Sequence, residues 1–516
     1  MTDLGFWNVA QADPKHLALV EPDGTEHTNG ELLASVNQVV HGLRALGLQP
    51  GDVVATVLPN GAAMFELTLA VLQAGWYLVP MNHHLAGPEI AYILQDSEAK
   101  AFVAHERFAD AVTTAVKEAN YPADASFAVG DIPGFRPYED LKKGQPTDMP
   151  PDRKPGAVMN YTAGTTGRPK GVRRPIPDID ADLQATLNGA FLLLFTIQPH
   201  DDNVHLVVSP LYHTAVLTFG LDSIHLGHTV VLMDKWSPEG TLERIERYKV
   251  TTSHMVPTQF RRLLALPEDA RNKHDLSSLR HMVHSAAPCP VEVKQRMLDW
   301  WGPVIDEYYA ASEGGGTLAM AEDWVKKPGT VGKAWAISTI KILDDDDNEL
   351  PAGQSGTVWI KMGEYKFEYH KDKAKTDKSW KEGFFTVGDV GYLDEDGYLF
   401  LNDRKIDMII SGGVNIYPAE IEKELASHPK VGDVAVFGIP HDDWGEEVKA
   451  VVEPAEGVKP GPELAEELTA FCRERLAGYK VPKSFDFTTD MPRDDNGKLY
   501  KRKLRDPYWT GRERAI

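Results

Sequence analysis

Tyr161-Thr162-Ala163-Gly164-Thr165-Thr166-Gly167-Arg168-Pro169-Lys170-Gly171 is the stretch whose reading decides the fold of this chain. It follows a short apolar strand, Ala157-Val158-Met159. Its small residues permit unusual backbone angles, so successive N–H groups can converge on an anion, while three threonine hydroxyls and a lysine add donors. A plain Gly/Thr turn has a similar backbone; the density of hydroxyls together with Lys170 favours a phosphate cradle. The loop is not of the Walker type. Pro169 precedes the lysine and Gly171 follows it, which leaves no adjacent hydroxyl to hold magnesium.

Upstream of the loop, strand and helix alternate. Thr28-Asn29-Gly30-Glu31 is a capping box, followed by Leu32, Val36, Val39, Leu43 and Leu46 at helical spacing and Gly47 as a stop. Asp52–Leu58 reads as a strand, Ala62–Ala74 as a helix and Tyr77–Val79 as another strand. A second run of such units extends from Asn203 to about Val283. Repeated strand–helix–strand units imply parallel sheets covered on both faces. The apolar run Ala190–Ile197 reads as a buried helix. Asp344-Asp345-Asp346-Asp347-Asn348 reads as a hairpin turn between strands at Thr339–Leu343 and Gly356–Lys361. After Asp403 the character changes, and a smaller unit follows with a helix from Pro418 to about Ser427, a strand Val434–Phe437 and a helix around Pro462–Leu476.

With 516 residues the chain exceeds one ordinary core. A formal net charge of −22 argues against nucleic acid or an anionic membrane as a partner, because the long-range field repels both. Any anionic ligand must be held by local donors. Two cysteines, Cys289 and Cys472, make neither a disulfide framework nor a metal cluster and suit a reducing cytoplasm. The first residues lack a basic segment followed by an apolar core, so no signal peptide is expected, and no apolar run reaches the length of a transmembrane segment.

The loop closely resembles the signature of the adenylate-forming superfamily, which includes acyl-CoA synthetases, firefly luciferases and peptide-synthetase adenylation domains. Ala163 stands where serine is common, losing one hydroxyl donor. Further segments follow in the family's order. Pro210-Leu211-Tyr212-His213 resembles the motif whose histidine borders the acyl pocket. Ser285-Ala286-Ala287-Pro288 and Tyr308-Tyr309-Ala310-Ala311-Ser312-Glu313 resemble the two segments that sandwich adenine, with Glu313 in the place of the acidic residue that positions magnesium. Pro328–Gly332 fits a structural glycine motif. Thr386-Val387-Gly388-Asp389 carries the aspartate that accepts hydrogen bonds from both ribose hydroxyls, a task suited to two carboxylate oxygens. Asn402–Asp407 corresponds to the interdomain hinge, where Arg404 would contact ribose or phosphate; Ile406 occupies a position that is commonly Lys or Asp. Ser411–Pro418 resembles the loop lining the coenzyme A tunnel, and Met491–Lys498 the C-terminal motif with the adenylating lysine.

The resemblance implies an α/β fold: a large N-terminal region of stacked α/β subdomains plus a β-barrel-like part, with a small mobile α+β C-terminal domain. It divides the chain into an AMP-binding domain over residues 1–403, a hinge at 404–407 and a C-terminal domain over 408–516. It implies an AMP-forming acid–thiol ligase that takes ATP, Mg2+, coenzyme A and a small-molecule carboxylic acid. The implied catalytic residues are Lys498, Glu313 and His213. Nucleotide and coenzyme A contacts fall to Thr162, Ala163, Gly164, Thr165, Thr166, Gly167, Lys170, Ala286, Ala287, Pro288, Tyr308, Tyr309, Ala310, Ser312, Asp389, Arg404, Gly412 and Gly413. Glu313 and Thr165 would hold the metal. Relatives of this kind are monomers or homodimers. A medium- to long-chain fatty acid is the first expectation for the acyl group, since Gly314-Gly315-Gly316 leaves space for a sizeable apolar acid. Leu217 stands where some long-chain relatives carry a gating tryptophan. Aryl or steroid carboxylates, or transfer to a carrier protein, are the alternatives.

Overall fold

The computed structural model describes residues 4–162, 169–364, 366–404, 407–411, 414–441, 444–494 and 499–510, with the backbone alone at 403, 404 and 415. Two largely parallel sheets dominate the N-terminal region. The first has six strands in the order Arg136–Pro137, Ser126–Val129, Ala101–His105, Val53–Val57, Tyr77–Pro80 and Ala157–Val158, all parallel. The second has nine strands. Its parallel centre runs Leu17–Val20, Thr229–Leu232, Val204–Val207, Thr252–Met255, His281–His284 and Ile305–Ala311. Antiparallel strands finish both sides, Glu26–Thr28 on one and Gly314–Ala319 with Lys333–Ala334 on the other. Every residue of Val53–Val57 and Thr252–Met255 is buried, the pattern of strands covered on both faces.

The helix Ala62–Ala74 joins the two sheets. Every residue but Ala63 is buried, so it is covered all round rather than amphipathic. One core cluster holds its Phe65 and Leu69 together with Val54, Leu78 and Val103 of the first sheet and Val207, Val230 and Leu232 of the second. Burying polar atoms there requires partners. Glu66 accepts from Ser35 Oγ at 2.7 Å and Tyr138 Oη at 2.8 Å and pairs with Lys142 Nζ at 3.3 Å. The neighbouring helix Asn29–Ala45 begins with the capping box read in the sequence: Thr28 Oγ1 accepts from the Glu31 N–H, and the Glu31 carboxylate accepts from the Thr28 N–H.

An antiparallel unit of six strands, including Ser338–Leu343, Gly356–Met362, Asp389–Leu393 and Leu399–Arg404, follows. The acidic cluster turns between its first two strands, where Asp344 accepts from the Asn348 backbone at 2.8 Å. A separate three-stranded sheet pairs Asn160–Thr162 with Lys170–Arg173, and the latter with Glu368–Tyr369. The small C-terminal domain has a five-stranded sheet built on the long hairpin Val431–His441 and Gly445–Pro454. Helices Pro418–Ala426 and Pro462–Arg475 cover it through Ile421, Leu425, Leu464 and Leu468. Among the described residues no helix is long and apolar enough to cross a membrane.

One local expectation is corrected. The apolar run read as a buried helix is a 3-10 turn, Ala190–Phe195, ending at Thr196 with φ 61°. Only part of it is buried: Leu192 and Phe195 are enclosed, whereas Leu193 is 40% exposed. The tighter winding brings Phe195 against Phe219 (ring centroids 5.5 Å apart) and Tyr308 (5.9 Å).

Beneath the strand Ile305–Ala311 lies a buried ion pair. Lys294 Nζ, on a fully enclosed side chain, is 2.8 Å from Glu307 Oε2 and 4.8 Å from the centre of the Trp324 ring. His284 Nε2 stands 3.3 Å from the same carboxylate oxygen. Burial pushes the Glu307 carboxyl up, but the Lys294 ammonium and His284 outweigh it and hold the group at about 2. Unfolded, it titrates near 4.5. Its contribution to stability is therefore complete above that value and is lost as pH falls toward about 2. Lys294→Met leaves a buried carboxylate without its cation and should cost about 3–5 kcal/mol at neutral pH. In denaturant titrations from pH 7 downward, the gap between native and variant protein should narrow as Glu307 protonates; a gap independent of pH would refute this account.

Candidate active site

Side chains gather where the parallel strands of the larger sheet end. In open α/β sheets the crevice beyond the carboxyl ends of the strands is the natural place for a ligand. After Val204–Val207 the chain reaches Tyr212 and His213, and His213 is the N-cap of the helix Thr214–His225. After His281–His284 come Ser285, Ala286, Ala287 and Pro288, and the strand Ile305–Ala311 runs on into Ser312 and Glu313. Together with Thr162 and Asp389, all of these except Tyr212 border one cavity of about 2000 Å³. Five segments apart in sequence thus converge on one space.

On one side the cavity is shaped for a flat ring and a diol. Tyr309 Oη donates to Asp389 Oδ2 at 2.6 Å, so the aromatic face and the carboxylate expected to meet adenine and ribose are physically linked. Asp389 is nearly buried, at 8% exposure. Ala286 has φ 72°, a left-handed conformation uncommon outside glycine and often retained at functional sites. Behind it, Ser285 Oγ is 2.8 Å from His254 Nε2.

The three consecutive glycines do not simply open space for an acyl chain, as the sequence suggests. A Cβ on Gly316 would lie 1.9 Å from the Tyr309 carbonyl oxygen, and one on Gly315 would lie 2.4 Å from Ile360 Cγ2. Gly316 serves the pairing of Gly314–Ala319 with Ile305–Ala311, and Gly315 the packing of the antiparallel unit.

Charged groups cluster near Glu313, which is 7% exposed. Its Oε1 accepts from Tyr369 Oη at 2.7 Å, and Lys375 Nζ sits 3.7 Å from the centre of the Tyr369 ring. Burial pulls the Lys375 ammonium below its ordinary range, with Lys170 pushing the same way, against the attraction of Glu313 and Asp372. Burial and then Glu313 raise the Tyr369 phenol, which stays protonated as a donor. Lys170 Nζ is 3.6 Å from Asp372 Oδ2, and in the strand register Lys170 lies opposite Thr162. Two lysines and a carboxylate at one place suit a polyanion carrying a hard divalent cation. Among the described residues there is no cluster of three or more ligands able to cage a metal. A lone buried carboxylate fits magnesium, which takes few protein ligands and completes its shell from phosphate and water.

The small domain forms the opposite wall. Asp433 accepts from Arg493 Nη2 at 2.8 Å and lies 3.5 Å from Arg261 Nη1 of the large domain. Arg493 and Leu499 form an antiparallel bridge, and both border the cavity with Asp494 and Lys501. Asp407, next to the expected hinge, also borders the cavity and lies 3.7 Å from Arg505.

His213, Tyr308 and Ala310 also lie on the cavity wall. Ala163, Gly164, Thr165, Thr166, Gly167, Gly412, Gly413, Lys498 and the side chain of Arg404 lie outside the described residues. Sequence reasoning missed Tyr369 and Lys375. No local pattern marks them; Tyr369 lies on the third strand of the small sheet that carries Lys170, a pairing visible only in three dimensions.

Comparison with known proteins agrees with this arrangement. Residues 6–365 match the family described as AMP-binding enzyme, and residues 420–498 its C-terminal domain. A feruloyl-CoA synthase from Amycolatopsis is 35% identical, with 97% of this chain and 98% of that protein covered. A fatty acid–[acyl-carrier-protein] ligase, ScoC, from Streptomyces coeruleorubidus is 31% identical, with 98% and 96% covered. The solved structure of o-succinylbenzoate-CoA synthetase from Bacillus subtilis, in complex with its acyl-adenylate intermediate, superposes with a TM-score of 0.82 at 28% identity, covering 97% of each chain.

If Gly316 serves strand pairing, Gly316→Ala should destabilise the protein by about 1–3 kcal/mol without shifting its preference for acid length. Thermal unfolding and a chain-length series measure the two effects separately. A changed length preference at unchanged stability would instead mean that Gly316 shapes the acyl pocket.

Proposed function

The chain belongs to the AMP-binding enzyme family, and from that premise we propose that it joins a carboxylic acid to ATP as an acyl-adenylate and then passes the acyl group to the thiol of coenzyme A. AMP and pyrophosphate are the other products. The observation that carries the proposal is the convergence of Glu313, held by Tyr369, and Asp389, held by Tyr309, on one cavity.

A carboxylate is a poor acyl donor because its anion resists attack and oxide cannot leave. Attack of the carboxylate oxygen on the α-phosphorus forms the mixed anhydride and expels pyrophosphate. The main barrier is repulsion between two anions, and preorganised cations lower it. Asp389 orients the nucleotide by accepting from the ribose hydroxyls, while Tyr309 offers a flat face to adenine. Lys170 and Lys375 offset the charge of the β- and γ-phosphates together with the hydroxyls of the Thr162–Thr166 loop. Magnesium, when bound, spreads the phosphate charge, and Glu313 and Thr165 are the residues that would hold it. His213 borders the acid, and Lys498 bridges carboxylate and α-phosphate.

In the second half-reaction the thiol attacks the acyl carbonyl and AMP leaves. We assign residues 404–407 as the hinge between a domain over 1–403 and one over 408–516. Gly412 and Gly413 are the approach for the pantetheine arm. Arg493 and Leu499 border the cavity, whereas Val414, which pairs with Ser411 beside those glycines, is 43% exposed. This contrast supports assigning the present arrangement to adenylation, with a domain rotation needed before thioester formation.

The family likeness includes both an aryl and a fatty acyl relative, so both acid classes stand as candidate substrates. The ScoC likeness gives a carrier protein as the alternative acceptor. Measuring AMP and acyl-thioester with coenzyme A, and separately with a carrier, discriminates the two. The cytoplasm is the compartment that suits two unpaired cysteines.

Glu313→Ala should reduce acid-dependent pyrophosphate release by roughly 100- to 1000-fold. Lys498→Ala should abolish adenylation yet retain thioester formation from supplied acyl-adenylate. An equal fall in both half-reactions, with folding intact, would remove Lys498 from its assigned role.

A further inference from the structure

The cavity does not end at the reacting centre. It follows the helix Thr214–His225, whose Thr214, Leu217, Thr218, Leu221, Asp222 and His225 border it at helical spacing. From His213 to Asp222 the helix advances nine residues, about 14 Å at 1.5 Å per residue. Phe191 and Leu194 border the same cavity. Leu217, Leu221, Phe191 and Leu194 offer apolar surface, interrupted by Thr214 and Thr218, on which an alkyl or aryl group could pack. The far end is different.

Asp222 is 4% exposed and borders the cavity, and among the described residues its carboxyl has no hydrogen-bond partner or ion pair. His225, three residues on and therefore on the same helix face, is 1% exposed. Its Nδ1 accepts from the Phe6 backbone N–H at 3.1 Å. The proton of the neutral ring is therefore on Nε2, which has no partner. Burial favours the uncharged form of both groups: it raises the Asp222 carboxyl well above the ordinary range and pulls the His225 imidazole down to about 4. A neutral carboxyl can both donate and accept, and a neutral imidazole N–H can donate. A buried pair of this kind weakens the fold unless something completes it. His225 Nδ1 serves the Phe6 N–H, but among the described residues no hydrogen bond or ion pair uses the Asp222 carboxyl or His225 Nε2, and a leucine at 222 would continue the apolar wall.

We infer that Asp222 and His225 form a polar terminus of the acyl pocket, which recognises a carboxylic acid carrying an oxygen at its far end, such as a ring hydroxyl or an ω-hydroxyl. This rests on the acid-activating reading above and specifies its substrate class. The oxygen would accept from His225 Nε2–H and exchange a hydrogen bond with Asp222. An acid lacking it would leave both groups buried and unmatched, and the site discriminates by that penalty.

The test is a set of paired acids in ATP-dependent pyrophosphate release: cinnamate against 4-hydroxycinnamate and 4-hydroxy-3-methoxycinnamate, and octanoate against 8-hydroxyoctanoate. The two pairings separate an aryl from an alkyl source of the oxygen. The native protein should favour the oxygenated member of at least one pairing by about 10-fold or more in kcat/KM. Asp222→Leu should erase that preference by lowering kcat/KM for the oxygenated acid while holding or raising it for the parent acid. Asp222→Asn, which keeps a donor and an acceptor, should retain most of the preference and guards against loss of folding in the leucine variant. Equal efficiency for both members of every pairing in the native protein, or a preference that survives Asp222→Leu, overturns the inference while leaving the ligase reading intact. Absence of pyrophosphate release with every acid overturns the ligase reading and this inference with it.

Discussion

The structure depends on one constraint: a parallel sheet must be covered on both faces, and here two such sheets share a cover. The helix Ala62–Ala74 is enclosed almost completely because it serves both. Its position fixes the separation of the sheets, and its one carboxylate, Glu66, is tolerated only because Ser35, Tyr138 and Lys142 surround it. With the larger sheet held in this way, the carboxyl ends of its strands open on one side, and the segments that bear the chemistry are carried there together. The Lys294–Glu307 pair then supports the strand that presents Tyr308 and Tyr309.

Electrostatics explains why the site is built from local pairs. A chain with a formal charge of −22 repels a triphosphate at long range, so binding must come from groups close enough to overcome that field. In the proposed binding mode Lys170 and Lys375 would do this near Glu313, and each has an acidic neighbour that balances its positive charge before a ligand arrives. The tyrosines have a complementary task. Tyr309 and Tyr369 each donate to one carboxylate and so fix its orientation toward the cavity. The same economy governs the far end of the acyl pocket, where two neutral polar groups on one helix face wait for a matching oxygen.

Much of the architecture was legible in the chain because it rests on local signals. The Thr28–Glu31 capping box, the Ala62–Ala74 helix and the acidic hairpin turn follow from caps, periodicity and turn chemistry that span only a few residues. The family motifs were legible for a related reason, since each is a short run whose residue types suit one part of a nucleotide. They mark His213, Glu313, Tyr309 and Asp389, which only the fold brings to one cavity. The run Ala190–Phe195 misled because apolar residues in sequence do not distinguish an α-helix from a tighter turn when neighbouring rings dictate the path.

The sequence by itself determined the order of elements and named a candidate phosphate loop and several of the residues that border the cavity. Only the tertiary structure decided which of them touch. Tyr369 and Lys375 reach Glu313 because a strand more than 190 residues downstream of Lys170 pairs beside it. Gly316 is a glycine because a neighbouring strand's carbonyl occupies the space of its Cβ. Asp222 and His225 become notable only once the helix is seen to run along the cavity, where among the described residues His225 Nε2 meets no partner. Each of these facts is a distance between residues remote in the chain, and such distances are set by sheet pairing and packing, which no short window of sequence contains.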